Sequence, residues 1–370
     1  MVCRSIEVEN FRNIAHATVS FSDGVNVLYG QNAQGKTNLL EAVSLASVGR
    51  SFRGAKEADM IAFGQEYASV GVDYRRDGKE KEQNITMRLF RTRKRVVEQN
   101  KVRLSRMSEM IGQYRTVLFC PEHLSIVKEG PALRRNFLDV AISQLRPLYL
   151  STLQRYNKVL AERNKLLKDA ARDMRTFRNT IEFWSAQLAD GASVIARMRA
   201  EYLSGISGHV KDCFKDMTGG REEPTLGYVS GCLSDGADMT DAALLRERYY
   251  EKLTGNYEKE IGAGSTLYGT HRDDIEMCIN GRPARQFASQ GQQRSFALAL
   301  KLGEGEICRE ETGEYPVFLF DDVFSELDSG RRAYLCEKIG GKQMIMTSCE
   351  PGEIPGANRI RVSGGVFEEE

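Results

Sequence analysis

The residues Gly30-Gln31-Asn32-Ala33-Gln34-Gly35-Lys36-Thr37 match the pattern G-x-x-x-x-G-K-[ST], a loop whose backbone N–H groups wrap a polyphosphate. Gly30 and Gly35 admit dihedrals and a close approach that a Cβ would block. Lys36 suits the outer phosphates, and the Thr37 hydroxyl suits Mg²⁺. Far along the chain, Val317-Phe318-Leu319-Phe320 runs apolar into Asp321-Asp322. A carboxylate at the end of a buried strand can hold Mg²⁺ through its water shell, and its neighbour can face an attacking water. The same two acids also suit a helix cap. Between the two stretches, Ser289-Gln290-Gly291-Gln292 leads toward a helix predicted to start near Gln293 and to run over Phe296 to Ile307, whose N-terminus would be a further place for phosphate.

These groups need elements to hold them. Val25 to Tyr29 predicts a buried strand entering the glycine loop, and Leu39, Leu40 and Val43 predict a helix leaving it, with its positive end on the phosphates. Ser5 to Glu9 and Thr18 to Phe21 predict two strands ahead of it. The segment 48–54 is too glycine-rich for a helix and predicts a surface connection. Ala68 to Tyr74, Asn84 to Arg91 and Arg93 to Glu98 alternate as antiparallel strands do, with Ile85, Met87 and Leu89 on one face. Val117 to Cys120 predicts a short buried strand. From His123 to about Lys215, apolar residues recur every three or four positions, which predicts packed helices. At about 1.5 Å per residue such a hairpin projects several nanometres, far short of a long coiled-coil arm. A helix is expected over Ala242 to Lys259, a strand over Ile275 to Ile279 with an Asn280-Gly281 turn after it, and closing strands over Met344 to Thr347 and Ile360 to Phe367.

A chain of 370 residues predicts two lobes. It contains no run of about 20 apolar residues, and Arg4, Glu7 and Glu9 leave no apolar signal core, so a cytoplasmic protein with no membrane partner is expected. The eight cysteines are scattered without C-x-x-C spacing, which argues against a zinc site or a disulfide framework. The net charge of +1 is uninformative, but Arg75 to Arg106 holds twelve basic residues against four acidic ones. That stretch suits either a solvated face or phosphate-backbone contact.

The order of motifs resembles the ABC-type ATPase head: an N-terminal phosphate loop, a late Ser289-Gln290-Gly291-Gln292, the Asp321-Asp322 strand and Ser325-Glu326-Leu327-Asp328. Within that class the chain resembles the RecF family of recombination mediators, through Gly49-Arg50-Ser51-Phe52-Arg53, Thr270-His271-Arg272-Asp273-Asp274 and the stretches around Ser289 and Asp321. The likeness implies an α/β head, a P-loop sheet with an antiparallel flank over residues 1–121 and 264–370, and an inserted, mostly helical lobe over 122–263. It implies ATP on Gly30 to Thr37 with Arg12 as a further nucleotide contact, and Mg²⁺ on Thr37 and Asp321. Lys36, Asp322 and Ser289 are the implied catalytic residues, Asp322 positioning water. Ser289 and Gly291 are expected at the γ-phosphate of the opposite subunit, and Asp328 at the interface of an ATP-dependent homodimer. DNA contacts are expected from Arg50 and Arg53, and from Arg93, Lys94 and Arg95 in the basic stretch. Partners implied are junctions of double- and single-stranded DNA, RecR, RecO and, through them, RecA.

Several positions depart from the general ABC pattern. Gln290 and Ala288 replace a glycine and a leucine, Asp322 replaces a glutamate, and Thr347-Ser348 stand where transporters often place histidine. Slow hydrolysis follows as an expectation. Glu122 is the candidate for the place of the glutamine in the lobe-connecting loop. Thr270 to Asp274 suits either an ion-paired turn or a nucleotide contact. Two other readings stay open on the residues alone: a stand-alone P-loop phosphotransferase, which leaves Ser289 to Ser295 without a task, and a transporter-associated ATPase, which needs a membrane partner.

Overall fold

A computed structural model describes Met1 to Glu370 except Glu80, Ser234, Asp235, Gly352, Glu353 and Pro355. The chain separates into two compact units, Met1–Ser125 with Ala297–Glu370, and Ile126–Phe296.

In the first unit the strands β1 (Val2–Phe11), β2 (Ile14–Ser20), β3 (Val25–Tyr29), β4 (Tyr67–Arg75), β5 (Gln83–Phe90), β6 (Val96–Gln99), β7 (Val102–Arg103) and β8 (Thr116–Phe119) precede the second unit. The second unit contributes β9 (Pro224–Val229), β10 (Asp274–Ile279) and β11 (Arg282–Pro283). The first unit is completed by β12 (Val317–Phe320), β13 (Met344–Ser348), β14 (Asn358–Ser363) and β15 (Val366–Glu369).

Strand composition accounts for two sheets in the first unit. β4 alternates buried and half-buried residues along its whole length, the signature of an antiparallel strand with one dry face. It lies within the antiparallel order β2-β1-β4-β5-β6-β7. β12 is buried at all four positions, as a strand covered on both faces must be. It sits in the order β15-β14-β3-β13-β12-β8, parallel throughout except for the β14–β15 hairpin. Leu319 lies opposite both Ile345 and Leu118, and Val27 opposite Met346, so the carboxyl ends of β3, β12 and β13 come to one edge. Ligands of open α/β sheets bind at that edge.

The helix Lys36–Val48 touches strands of both sheets. It is therefore buried nearly all round, Leu39, Leu40, Val43 and Leu45 having no exposed surface, and its apolar residues form no single stripe. Wedged this way, the helix fixes the loop before it.

The second unit is mainly helical: Pro131–Leu145, Pro147–Asp169, Met174–Thr218, Ala242–Thr254 and Tyr257–Ala263, with the β11-β10-β9 sheet. Asn280-Gly281 makes the expected β10–β11 hairpin, with Asn280 at φ 51° and Gly281 at φ 73°. Three expectations shift. The helix predicted to reach Lys259 stops at Thr254, because Gly255 and Asn256 leave helical geometry before a new helix begins at Tyr257. The strand expected from Arg93 begins at Val96, residues 91–95 forming a turn. A boundary at 264 would part β10 from β9, which pair from Asp274–Val229 to Ile279–Pro224, so residues 264–296 cluster with the second unit. Among the described residues no helix is long and apolar enough to cross a membrane.

Candidate functional site

The phosphate loop is held open at its sheet end and closed by its own lysine. Gly30 has φ 150°, and a Cβ there would press on the Val362 carbonyl of β14. Gly35 has φ 116° and packs against the Asn13 side chain. From the other side, the Gln34 carbonyl accepts from Gly365 N–H at 2.8 Å and its side-chain oxygen from Gly364 N–H at 2.6 Å, which pins the loop to the β14–β15 turn. Lys36 is 8 % exposed, and its Nζ donates to the carbonyls of Gly30 at 2.5 Å and Gln31 at 2.7 Å.

Thr37 lies in the first turn of the helix Lys36–Val48, and its hydroxyl donates to Asp321 Oδ1 at the end of β12 at 2.7 Å. The Thr347 hydroxyl of β13 donates to the same oxygen at 3.1 Å and accepts from Asp322 N–H at 2.9 Å. One threonine thus braces both acids, Asp322 turning into the left-handed region at φ 52°. Thr37 and Asp321 supply a hydroxyl and a carboxylate, the oxygen donors that Mg²⁺ takes with phosphate and water. Among the described residues there is no cluster of three or more His, Cys, Asp or Glu side chains for a metal, so any ion here would need oxygens of the substrate as well.

Burial raises the Asp321 pKa, aided by the charges of Asp322 and Glu122 and opposed by the two threonine hydroxyls. A raised folded-state pKa favours the protonated form. Its stabilisation is complete below the unfolded value and is lost as pH rises through the folded one, so above the folded-state value the ionised Asp321 costs stability. Asp321→Asn is accordingly expected to raise the melting temperature of the nucleotide-free protein by about 2 °C. The check is thermal unfolding of the variant beside the wild type.

Lys36, Thr37, Asp321, Asp322 and Thr347 line one cavity of about 950 Å³, together with Arg12, Asn32, Ala33, Gln34, Gly35, Arg53, Phe63 and Glu122. The Phe63 ring is fully exposed there. Arg12, in the β1–β2 turn at φ 56°, donates Nε and Nη2 to Glu41 at 3.0 and 2.9 Å and Nη1 to the Asp59 carbonyl at 2.8 Å. Glu41 has no exposed surface. Sequence reasoning missed it and the bracing by Thr347. A glutamate five residues into a helix that is otherwise buried was the one available signal.

Ser289 and Gly291 lie in the second unit. The helix there begins at Gln290, three residues earlier than expected, because Ser289 and Gln292 form a reciprocal capping box. Gln292 N–H donates to Ser289 Oγ at 3.2 Å, and Ser289 N–H to Gln292 Oε1 at 2.7 Å. Gln292 also donates to Glu222 at 2.6 Å.

Thr270 to Asp274 is bonded within the second unit. His271 contacts the Tyr156 hydroxyl at 2.7 Å and the Thr266 carbonyl at 3.1 Å, and burial lowers its pKa to about 4. Asp273 accepts from Tyr228 and Tyr249 at 2.5 and 2.7 Å, and Asp274 takes a two-pronged bond from Arg134 at 2.6 and 2.8 Å. The bonds favour the ion-paired turn.

Much of the basic stretch is spent internally. Arg75 pairs with Asp23, Arg76 with Glu314, Arg88 with Glu98 and Arg95 with Glu57. Arg93 lies 3.7 Å above the Phe90 ring with its outer side exposed, and Lys94 beside it is exposed. Arg50 is exposed in the segment after the helix. Arg53 donates to Asn38 at 3.2 Å and points into the nucleotide-loop cavity.

The family described as RecF/RecN/SMC N terminal domain matches residues 2–365. A relative from Thermoanaerobacter sp. (strain X514), "DNA replication and repair protein RecF", is 38% identical over 370 residues and all of both chains. The solved structure of the recombination mediator protein RecF-ATPrS in the RecFOR pathway superposes with a TM-score of 0.93 at 35% identity, covering 100% of this chain and 98% of that one. The Smc head domain of Pyrococcus furiosus, bound to the C-terminal domain of ScpA, gives a TM-score of 0.56 at 17% identity over 100% and 95% of the chains, a likeness of fold. With its α/β ABC/SMC-head-like fold and full-length identity, the chain belongs to the RecF family.

Proposed function

We propose that the chain is an ATP-dependent, DNA-binding recombination and repair mediator. Two copies close on ATP as a dimer clamp at single-strand/double-strand junctions, help RecO and RecR place RecA, and are reset by slow hydrolysis. The observation that carries this reading is the braced pair at the loop, Thr37 and Asp321 at 2.7 Å with Thr347 behind them, inside a cavity lined by Lys36. Relatives whose names refer to DNA replication and repair, and to ATP-type ligands in the RecFOR pathway, point the same way.

Each residue has a task that its geometry supports. The Lys36 ammonium, now on two carbonyls, has a third N–H to give a phosphate oxygen and can exchange the others. Mg²⁺ on Thr37 and Asp321 would neutralise charge on the outer phosphates. Asp322 is exposed at the cavity wall, where its carboxylate can orient a water. It is one methylene shorter than glutamate, and Thr347 beside it offers a hydroxyl already engaged with both acids rather than a base. Hydrolysis on such a site is slow, which suits a switch. Ser289 and Gly291 serve the nucleotide of the opposite subunit, Asp328 lines that interface, and Arg93 and Lys94 offer exposed cations to phosphate backbone.

The test is the mass in solution, by sedimentation, with no nucleotide, with ADP and with ATP. The wild type is expected to dimerise with ATP alone and then to bind gapped duplex. Ser289→Arg places a long cation at the helix start; it should bind ATP with wild-type affinity as a monomer and remain one. A wild type that binds ATP yet stays monomeric would remove the clamp and leave a stand-alone phosphotransferase as the better reading.

A further inference from the structure

Arg12 and Arg53 come from different segments, and the same buried carboxylate holds both. Glu41, on the helix Lys36–Val48, has no exposed surface. It accepts from Arg12 through two nitrogens at 3.0 and 2.9 Å, accepts from the Ser51 hydroxyl, and has Arg53 Nη1 at 3.9 Å. The Ser51 oxygen in turn accepts from Arg53 N–H at 3.1 Å. A carboxylate withdrawn from water must be matched by donors, so these contacts order the β1–β2 turn and segment 49–54 together.

We infer that Glu41 is a positioning residue that couples nucleotide contact at Arg12 to DNA contact at the Arg50–Arg53 segment. The inference rests on the proposed ATP and DNA binding. Three of the five N–H donors of Arg12 are engaged, on Glu41 and the Asp59 carbonyl, which leaves donors for a phosphate without breaking the cluster. Arg53 is 46 % exposed and, beside its bond to Asn38, reaches Glu41 only at long range, so it too can meet a phosphate while Ser51 holds its backbone. Each anion prefers the assembled cluster. Whichever binds first orders it for the second, which makes the linkage positive and reciprocal.

The experiment measures ATPγS affinity with Mg²⁺ at fixed salt, with and without a saturating short duplex, for the full chain. The wild type should bind ATPγS several-fold more tightly with DNA present. Glu41→Gln keeps the shape and loses the charge; it should weaken ATPγS binding about tenfold and abolish the DNA effect. In an Arg12→Ala background Glu41→Gln should add no further loss, which a merely structural role would not produce. Ser51→Ala, a milder change, should reduce the linkage with the fold intact by melting temperature. A Glu41→Gln that retains the linkage overturns the coupling and leaves the mediator reading standing, whereas a wild type that binds both ligands without linkage overturns the ATP-gated clamp as well. A wild type that binds neither ligand overturns both.

Discussion

Lys36→Met is expected to lower ATP hydrolysis about 10²- to 10³-fold, the range for losing one charge-stabilising donor in a preorganised site, and to abolish ATP-dependent dimerisation. Two effects compete in the folded protein. The substitution removes two bonds to the Gly30 and Gln31 carbonyls, each worth about 1 kcal/mol. It also removes the desolvation of an ammonium that is 8 % exposed, which returns a similar amount. Methionine fills the stem's volume, so the melting temperature should stay within a few degrees of the wild type. With polyphosphate bound nothing offsets the loss: the backbone N–H cradle remains, but the mobile cation at its mouth is gone. Lys36→Arg should fail nearly as completely despite its charge, because a planar fork cannot fold back onto two successive carbonyls as a compact ammonium does. Steady-state phosphate release and sedimentation check both variants; near wild-type hydrolysis in Lys36→Met would remove Lys36 from the mechanism.

What could be read in the sequence was what local chemistry dictates. Val25 to Tyr29, apolar but for Asn26, and Val317 to Phe320, apolar throughout, are strands of the predicted extent because short apolar stretches bounded by polar residues have few other solutions. The Asn280-Gly281 hairpin followed from the φ > 0 that its turn requires. One miss is local and the others involve partners distant in the chain. The start of the helix at Gln290 depends on the Ser289–Gln292 box, a pattern present in the sequence but passed over for a phosphate role. The 91–95 turn depends on Arg95 reaching Glu57 and the Gly49 carbonyl. From sequence, Thr347 is the end of a buried strand and a residue standing in place of histidine. Its bridge to Asp321 and Asp322 exists because β12 and β13 pair in parallel with Phe320 opposite Met346, a register that no local pattern encodes. The basic stretch shows the same limit from the other side, since its sum of charge says nothing about which arginines already hold carboxylates.

Arg163→Met in the second unit is expected to destabilise that unit by about 3–5 kcal/mol, the cost of stranding a buried partner charge. Arg163 and Glu260 both have no exposed side-chain surface and meet at 2.6 Å. The guanidinium also donates to Ser185 Oγ at 3.1 Å, Thr266 Oγ1 at 2.8 Å and the Leu253 carbonyl at 2.9 Å, while Glu260 accepts from Leu267 N–H at 2.8 Å. The pair thereby joins the helices Pro147–Asp169, Met174–Thr218 and Tyr257–Ala263 just ahead of the Thr270 to Asp274 turn. Removing only the cation leaves the carboxylate with the Leu267 N–H as its remaining donor here, and also takes a donor from the Leu253 carbonyl and the Thr266 and Ser185 hydroxyls, Ser185 keeping a 3.5 Å bond from the Tyr257 hydroxyl. Removing both charges is a different change. Arg163→Met with Glu260→Met exchanges the ion pair for apolar volume and escapes the uncompensated charge, so it should recover most of the loss. Denaturant unfolding followed by the fluorescence of Trp184, the single tryptophan and a second-unit residue, measures all three variants. Because the pair lies apart from Lys36 and Asp321 in the chain's division into units, ATP affinity at temperatures where the second unit stays folded should be unchanged. A single variant as stable as the wild type would mean that water or a shifted side chain satisfies Glu260, and the buried pair would lose its place as the tie of the helical unit.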